Sequence, residues 1–512
     1  MENIVLIIDC GTQSIRAMLI NDKGEILIKE KEKYEYITKE KGSIIEFDAN
    51  NFFEEIISLL LKLKSKNEKL YSKIKGVSIT TQRDTFVLVD RNGAPLRNAI
   101  SWLDRRKAKN YKKPNILYRM LFSLVGMGAM TKNLMSEARF NWIIENEPDV
   151  WDKTYKYLLL PQFLNYKFTG KYIESDAGTV GHIPFDYKKR EYDKSYGIKR
   201  QLFDIDQRKL ANVIPSTKII GSILDEVCER AGIKRGTPLV ASGSDKACET
   251  IGVGCIKEGI GSISLGSQVT IQVTTGRYYE LTRFVPPFCS VIPNTYNPEI
   301  ILYRGFWLVT WFIKEFAYKE EQICKETGKD IYDVMDEKLK EIPVGCDGLI
   351  LQPYWGQDIL RPEAKGSILG FNDKHTRMHI YRAIIEGIGY SLKEGIERIE
   401  KVSKVNIDKI ALSGGGSRSD IICQIISDIL NKEVYKIQTY EASGIGAAMA
   451  GFIGLKVFKD FDEAKENMVR QTKTFSPNEE NAKKYDDIYN NVYLKIYKNV
   501  KKIYTKMNNI NL

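Results

Sequence analysis

The chain has 512 residues, and 77 Lys and Arg against 66 Asp and Glu give it a formal charge of +11. Its 43% hydrophobic and 28% charged residues are ordinary for globular proteins and exclude a disordered or collagen-like chain. The length predicts two or more domains, and the longest apolar runs, such as residues 4–8, fall far short of the roughly 20 residues that span a bilayer.

The chain begins with a predicted hairpin rather than a strand-to-helix unit. Apolar residues 4–8 and 15–20 flank a polar turn that contains glycine, and a third strand is expected at 25–29. A Rossmann or Walker phosphate loop needs its glycine spacing at a helix entrance, and neither pattern occurs here. The next predicted elements are a helix at 49–66 and strands at 74–80 and 85–90.

After a mainly helical insertion at 105–235, the pattern predicts a second α/β core. Its strands are predicted at 238–242, 261–265, 269–274 and 409–412, and its helices at 306–327, 378–402 and 420–430. An amphipathic pattern at 481–507 predicts a terminal helix that docks on the protein body rather than on a membrane. We therefore predict an α/β protein with lobes at 1–246 and 247–460 and a helical tail at 461–512.

The charge distribution and the cysteines indicate the cellular compartment and the kind of partner. Lysines are spread through the chain and mixed with acidic residues, which is typical of solvated faces and suits a small anionic substrate better than nucleic acid. The start of the chain lacks signal-peptide features. Eight cysteines without a Cys-x-x-Cys pair favour reduced thiols over disulfides or a zinc site. We expect a cytoplasmic protein without a nucleic-acid or membrane partner.

The first group of candidate residues lies in the turn of the N-terminal hairpin. A turn with glycine, hydroxyls and an arginine offers donors to a polyphosphate, and a carboxylate at the end of a strand can hold Mg²⁺ through water. An ordinary polar hairpin turn is an equal alternative. The residues are Asp9, Gly11, Thr12, Gln13, Ser14 and Arg16.

A second group centres on Asp245, which follows the predicted strand at 238–242. A carboxylate at that end of a strand points to where ligands usually bind in α/β proteins, and it could accept a proton from a substrate hydroxyl. Taken alone, the residue fits a helix N-cap better. The segment 261–267, with Gly266 and Ser267 at its end, follows shortly after.

A third group, Gly414-Gly415-Gly416 with Ser419, stands between a predicted strand and a predicted helix. Consecutive glycines let a flat ligand lie against bare backbone, and the helix N-terminus favours phosphate. This favours a nucleotide site over a purely structural turn.

The fourth group combines Gln82-Arg83-Asp84 with Trp102 and Asp104. Amide, guanidinium and carboxylate groups beside an aromatic face suit a polyhydroxylated ligand. Alone, each would be a surface charge cluster.

Taken together, and in the order in which they occur along the chain, the four groups resemble the FGGY carbohydrate kinases, which include glycerol, xylulose and gluconate kinases. The likeness extends from about residue 5 to residue 454. Residues 366–371 and 379–386 are similar to the C-terminal signature of the family. The resemblance implies two ribonuclease-H-like lobes of the actin and hexokinase superfamily around an ATP cleft, with ATP and Mg²⁺ as cofactors. Members are often dimers or tetramers, so a homodimer is expected.

The resemblance also implies roles for individual residues. Asp245 matches the catalytic base and Asp9 the metal-associated carboxylate. The substrate positions are Gln82, Arg83, Asp84, Trp102, Asp104 and Asp245. The nucleotide positions are Gly11, Thr12, Gln13, Ser14, Arg16, Gly266, Ser267, Gly414, Gly415 and Ser419.

Departures from the family leave the substrate open. Gln82-Arg83 resembles the Gln-Arg-Glu run of glycerol kinases, but Asp84 is one methylene shorter, and the Gln-Met-His run of xylulose kinases is absent. We therefore predict an ATP-dependent kinase that phosphorylates a hydroxyl of a sugar, polyol or sugar acid. The alternatives are a glycerol kinase and an actin-like nucleotide-binding protein without kinase activity.

Overall fold

The computed structural model describes residues 3–40, 43–194, 196–283, 285–356 and 361–510. Its contacts divide the chain into two compact units. Unit 1 comprises Met1–Gly252, Phe288–Tyr296 and Ala442–Val469, and unit 2 comprises Val253–Pro287, Asn297–Glu441 and Arg470–Leu512. Packing thus assigns 442–469 to unit 1, whereas the sequence-based segments placed these residues in the second lobe and the tail.

The elements are numbered in chain order. The strands β1 to β25 are Ile4–Cys10, Ile15–Asn21, Ile26–Glu32, Ile37–Lys39, Ile44–Phe47, Ile74–Thr81, Phe86–Val89, Ala99–Ile100, Lys156–Leu159, Ile173–Ser175, Phe185–Asp186, Glu191–Tyr192, Asn212–Ile214, Ile219–Ser222, Pro238–Ser244, Ile260–Leu265, Val269–Val273, Phe288–Cys289, Tyr296–Asn297, Glu299–Leu302, Ile350–Gln352, Ser367–Leu369, Lys409–Ser413, Glu433–Ile437 and Gln471–Phe475. The helices α1 to α19 are Ala49–Lys66, Glu68–Tyr71, Ile116–Leu124, Gly128–Glu137, Arg139–Asn146, Pro148–Lys153, Leu160–Thr169, Ile198–Leu202, Asp225–Ala231, Asp245–Gly252, Trp307–Phe316, Tyr318–Thr327, Ile331–Leu339, Arg377–Ser403, Asp420–Leu430, Ala442–Gly454, Phe461–Met468, Glu479–Ile488 and Leu494–Asn509.

Unit 1 is built on a six-stranded sheet in the order β14-β15-β6-β1-β2-β3. The predicted N-terminal hairpin is confirmed, because β1 pairs antiparallel with β2 and places Asp9 opposite Arg16. β1 and β15 both run parallel to the central β6. Parallel strands end at the same edge of a sheet, so the residues that follow β1, β6 and β15 meet there.

Helix α16 brings a distant part of the chain back to this sheet. It is rich in glycine and alanine and packs against α10 and against β1, β6 and β15. Helix α16 can lie this close to α10 because glycine has no side chain. A Cβ on Gly446 would lie 1.9 Å from the backbone oxygen of Cys248. Small residues at the crossing therefore fix where the helix lies.

Unit 2 has its own six-stranded sheet in the order β20-β17-β16-β23-β24-β25. β16 runs parallel to β23, with Ser264 opposite Ser413. The long helix α14 and α15 pack together over one buried core, which also holds Tyr485, Tyr489 and Tyr493. The terminal helical segment therefore docks on the protein body, as its amphipathic pattern predicted.

Two regions differ from the sequence-based expectation. Residues 116–153 contain helices as expected, but strands begin at Lys156, and β14 joins the central sheet of unit 1. The run Leu158-Leu159-Leu160 crosses from strand β9 into helix α7, and a short apolar run fits a buried strand as well as a helix. The helix expected at 306–327 is interrupted at Ala317.

Among the described residues, no helix is long and apolar enough to cross a bilayer.

Candidate active site

Asp9 lies at the carboxyl edge of the unit 1 sheet in a network of polar contacts. Its side chain is buried. Arg16, its cross-strand neighbour, donates from Nη1 to Asp9 Oδ2 at 3.2 Å, and Ser443 donates from Oγ to the same oxygen at 2.7 Å. Ser443 lies in the first turn of α16, which packs within unit 1. Sequence analysis did not single out Ser443, because nothing local links it to Asp9.

The turn between β1 and β2 is closed by the backbone N–H of Gly11, which donates to the carbonyl of Ser14 at 3.1 Å. Thr12 connects this turn to the fourth predicted group, because the indole N–H of Trp102 donates to Thr12 Oγ1 at 3.0 Å. Gln13 is exposed and Ser14 is buried. Two groups that lie 90 residues apart in sequence are therefore in direct contact.

Asp245 is the first residue of α10, directly after β15. Its Oδ1 accepts a hydrogen bond from the backbone N–H of Lys246 at 2.8 Å, and Ser244 Oγ accepts one from the N–H of Ala247 at 3.4 Å. The N-cap contact to the first turn thus comes from Ser244. Lys246 forms a salt bridge with Glu249 at 2.7 Å.

The pKa of Asp245 differs from that of an ordinary aspartate. Burial raises it to about 6, although Lys246 and Arg83 act in the opposite direction, and the charge of Asp9 adds to the rise. Asp9 and Asp245 are therefore close enough to influence each other, as the shared sheet edge requires. A carboxylate with such a pKa can gain and lose a proton near neutral pH.

Gln82 and Arg83 lie beside these carboxylates. The amide Nε2 of Gln82 donates to the hydroxyl of Tyr34 at 3.1 Å. Its Oε1 is buried and has no hydrogen-bond partner among the residues that the structure describes. Arg83 donates from Nε to Ser244 Oγ at 3.1 Å and stacks over the ring of Phe288. A buried, unsatisfied acceptor is costly, so Gln82 Oε1 is well suited to a donor on a ligand.

Asp84 and Asp104 are both engaged by protein groups. Asp84 contacts His182, and although burial tends to raise the pKa of Asp84, His182 and Arg139 hold it below the usual value. The side chain of Asp104 is 0% exposed and accepts hydrogen bonds from Arg106 and from the backbone N–H of Ile45. This geometry gives Asp104 a structural contact rather than an open carboxylate.

In unit 2, the two predicted glycine turns lie side by side. Gly414 has a φ of +80°, and a Cβ there would lie 2.8 Å from the carbonyl carbon of Leu265, next to Gly266. Gly415 faces open space, and Ser267 is exposed. Ser419 is the N-cap of α15, with Oγ accepting from the N–H of Ile422 at 3.1 Å. The structure thus joins two segments separated by about 150 residues.

The comparisons with known proteins cover nearly the whole chain. The N-terminal domain model of the FGGY family of carbohydrate kinases matches residues 4–252, and the C-terminal domain model matches residues 262–455. The chain belongs to the FGGY family of carbohydrate kinases. The non-kinase alternative is thereby set aside.

Individual relatives agree with this assignment. The chain is 28% identical over 501 residues to the xylulose kinase of Bacillus subtilis, covering 96% of each sequence. Its fold matches the ligand-bound xylulose kinase of Lactobacillus acidophilus at a TM-score of 0.83 and 19% identity, covering 99% of this chain and 100% of that one. The gluconate kinase of Lactobacillus acidophilus matches with the same score, identity and coverage.

This FGGY kinase is an ATP-dependent enzyme that acts on a small sugar. The predicted fold class, with two α/β lobes of the actin and hexokinase type, is confirmed by these matches. Within unit 1, the structure brings together Asp9, Arg16, Gln82, Arg83 and Asp245. It adds two residues that sequence analysis did not assign to the site, Ser443 and His182.

Proposed function

We propose that this kinase transfers the γ-phosphoryl group of ATP to a hydroxyl of a small sugar, with Asp245 as the general base. The observation that carries the proposal is the position of Asp245 at the sheet edge, near Arg83 and Asp9, with its pKa raised to about 6. A base with a pKa near the working pH combines a large unprotonated fraction with enough basicity to take up a hydroxyl proton.

Several side chains and backbone groups would contribute to catalysis. Asp245 accepts the proton of the attacking hydroxyl. Arg16, held against Asp9 at 3.2 Å, supplies positive charge toward the transferred phosphoryl group, and the N–H groups of residues 12–14 in the turn add further donors. Because phosphoryl transfer demands little covalent chemistry from the protein, positioning and electrostatics account for most of the rate.

The residues present fit Mg²⁺. The described residues contain no group of three or more His, Cys, Asp and Glu arranged for a metal ion. Mg²⁺, however, is usually bound through one or two carboxylates together with water and substrate phosphates, and Asp9 and Asp245 are two neighbouring carboxylates. We propose Asp9 as the residue that holds Mg²⁺, which would neutralise charge on the phosphates of ATP.

We propose that the glycine turns of unit 2 bind the nucleotide. Gly266 and Ser267 would approach the phosphates, and Gly414, Gly415 and Ser419 would contact the adenosine. The open space beside Gly415 supports this assignment, because a ligand could lie against the bare backbone there.

Gln82, Arg83 and Trp102 are the proposed sugar contacts. The buried, unpaired Oε1 of Gln82 supports a hydroxyl donor on the ligand. The named relatives act on xylulose and gluconate, so we propose a ketose or a sugar acid as the substrate class, with polyols such as glycerol as the next candidates. Because Asp104 is fully engaged, we assign it to holding this region together.

The cellular compartment is also part of the proposal. The described residues include all eight cysteines and contain no disulfide, and seven of the cysteines are buried, which fits a reducing compartment where ATP is plentiful. We therefore propose a cytoplasmic enzyme. The homodimer remains a prediction from the family.

The deciding experiment measures ADP formation by the purified protein with ATP and Mg²⁺ against a panel of ketoses, sugar acids and polyols. We expect at least one ketose or sugar acid to raise ADP release well above the rate without sugar, and mass spectrometry to detect the sugar phosphate. Preference for glycerol would support the glycerol-kinase alternative. ADP release that no sugar stimulates would contradict the proposal.

A further inference from the structure

Asp84 directs its carboxylate at another residue of the protein instead of leaving it open. Its backbone has a φ of +51°, an uncommon conformation for a residue with a side chain. The backbone N–H of His182 donates to Asp84 Oδ1 at 2.8 Å. The ring Nδ1 of His182 lies 2.9 Å from Oδ1 and 2.8 Å from Oδ2. The Asp84 carboxylate therefore contacts both the backbone N–H and the ring Nδ1 of His182.

These contacts define which ring nitrogen of His182 faces outward. The charged groups near Asp84, His182 first and then Arg139, keep its pKa below the usual value despite burial, so the carboxylate is ionised and can only accept. Nδ1 must therefore carry a proton. Nε2 makes no hydrogen bond with any residue that the structure describes and is not among the buried unpaired atoms. The side chain remains 21% exposed.

The rest of the surroundings fix the direction of the ring. The rings of His182 and Phe203 meet at an interplanar angle of 82° with their centroids 5.7 Å apart. On the other side, Asp84 directly follows Arg83, whose Nε hydrogen-bonds to Ser244, the neighbour of Asp245. A short stretch of chain thus connects the proposed base with a histidine that is held at one nitrogen and open at the other.

We propose that His182 Nε2 binds a hydroxyl of the sugar substrate and helps to define substrate specificity, with Asp84 as the positioning residue that holds the ring. This inference rests on the proposed function. It explains the shortened acidic side chain, because Asp84 together with the imidazole reaches farther than a carboxylate alone. A site built to hydrogen-bond a hydroxyl discriminates against analogues that lack it.

The test compares two variants that divide the functions of the ring. In His182→Asn, the side-chain amide can still donate to Asp84, but the group at the Nε2 position is lost. In His182→Gln, an amide is placed near the Nε2 position. We expect His182→Asn to raise the KM for the sugar about 5- to 100-fold. The KM for ATP and kcat should change less than about threefold, and His182→Gln should recover part of the loss.

A series of deoxy sugars supplies the decisive readout. Wild type should discriminate against the analogue that lacks the contacted hydroxyl, and His182→Asn should lose that discrimination while it still distinguishes the other analogues. Thermal unfolding of each variant checks folding, and Lys189→Asn, an exposed position in the same unit, is the control. If His182→Asn is unstable, His182→Ala, which also removes the group at the Nε2 position, takes its place in the same comparison.

The outcomes separate this inference from the proposed function. A wild-type enzyme that responds to no sugar would overturn the proposed function itself. An active wild type whose sugar KM and deoxy-sugar discrimination are unchanged in a folded His182→Asn variant would overturn only the role of His182. Equal losses in the KM for ATP and for the sugar would also overturn it, because they indicate a general structural defect.

Discussion

Ser443 Oγ donates a 2.7 Å hydrogen bond to Asp9 Oδ2, although the two residues lie 434 positions apart in the chain. Asp9 is the penultimate residue of the first strand of unit 1. Ser443 is the second residue of a helix that returns to the same unit after the chain has formed most of unit 2. Asp9 is therefore oriented from two sides, by Arg16 on the neighbouring strand and by Ser443 on α16.

Replacing Ser443 by alanine should weaken the proposed metal site without unfolding the protein. The carboxylate of Asp9 would lose a donor that fixes its orientation, and groups that orient metal ligands are typically worth about 10-fold or more in metal affinity. We expect Ser443→Ala to raise the Mg²⁺ concentration for half-maximal activity about 10-fold and to weaken Mn²⁺ binding measured by calorimetry. Ser443→Thr keeps the hydroxyl and should behave like wild type. Unchanged metal dependence in the alanine variant would refute this role.

Asp245→Asn should remove the proposed general base while preserving shape. We expect kcat to fall about 10²- to 10⁴-fold, with a much smaller change in the KM for ATP, because the amide cannot take up the hydroxyl proton. Steady-state ADP release measures both parameters. Asp206→Asn makes the same chemical change at a partly exposed position outside the proposed site and serves as the matched control. A fully active Asp245→Asn enzyme would exclude Asp245 as the base.

The pH dependence of the sugar kcat/KM should follow the same carboxyl group. Burial raises the pKa of Asp245 to about 6. A base acts only when it is deprotonated, so activity should be full above this pKa and should fall as the pH drops through it, approaching about tenfold per pH unit. In Asp245→Asn, the residual rate should lack this acidic limb. A wild-type profile that is flat between pH 5 and 7 would contradict the assignment.

Gly414→Ala should destabilise unit 2, whereas Gly415→Ala should not. The backbone of Gly414 has a φ of +80°, and its Cβ would lie 2.8 Å from backbone atoms of Leu265. We expect a loss of at least about 2 kcal/mol in the free energy of unfolding, together with weaker ATP binding. No atom of a described residue lies within 4 Å of the Cβ position of the neighbouring Gly415. Both variants carry the same Gly→Ala change, and chemical denaturation compares their free energies of unfolding. Equal values would contradict the proposed clash between a Cβ at Gly414 and Leu265.

Asp104→Ala should lower stability more than it alters catalysis. The carboxylate is buried and accepts from Arg106 and Ile45, and its removal leaves buried donors without their acceptor. Breaking a buried ion pair typically costs about 3 kcal/mol or more. Asp206→Ala, which breaks a solvent-exposed pair with Arg208, should have little effect on thermal unfolding. A large rise in the sugar KM with unchanged stability would instead restore Asp104 as a substrate contact.

Much of the fold was accessible from local patterns. The N-terminal hairpin, helix α1 and strands β6, β15, β16, β17 and β23 were predicted close to their observed bounds, because periodicity and turn residues are local signals. Residues 156–222 were less predictable. Their short strands are stabilised by partners elsewhere in the chain, as when β14 pairs with β15, and the local sequence does not name the partner.

The candidate site divides in the same way. Residue types and spacing along the chain singled out Asp9, Arg16, Gln82, Arg83 and Asp245 as candidates, but their predicted roles came from the resemblance to the FGGY family. Alone, the turn after Asp9 was equally an ordinary hairpin turn, and Asp245 fitted a helix N-cap better. What each carboxylate contacts was not predictable, because Asp84, Asp104 and Asp245 look alike in sequence. One is held by His182, one is buried against Arg106, and one has its pKa raised at the sheet edge.

The sequence by itself determined the order of strands, turns and helices and the chemistry that each turn carries, because these depend on neighbouring residues. Only the tertiary structure decided that Ser443 orients Asp9, that Thr12 meets Trp102 and that His182 leaves one nitrogen open. Such contacts depend on how sheets and helices far apart in the chain pack together. Hydrogen bonding and burial, rather than the identity of a side chain, then establish its role.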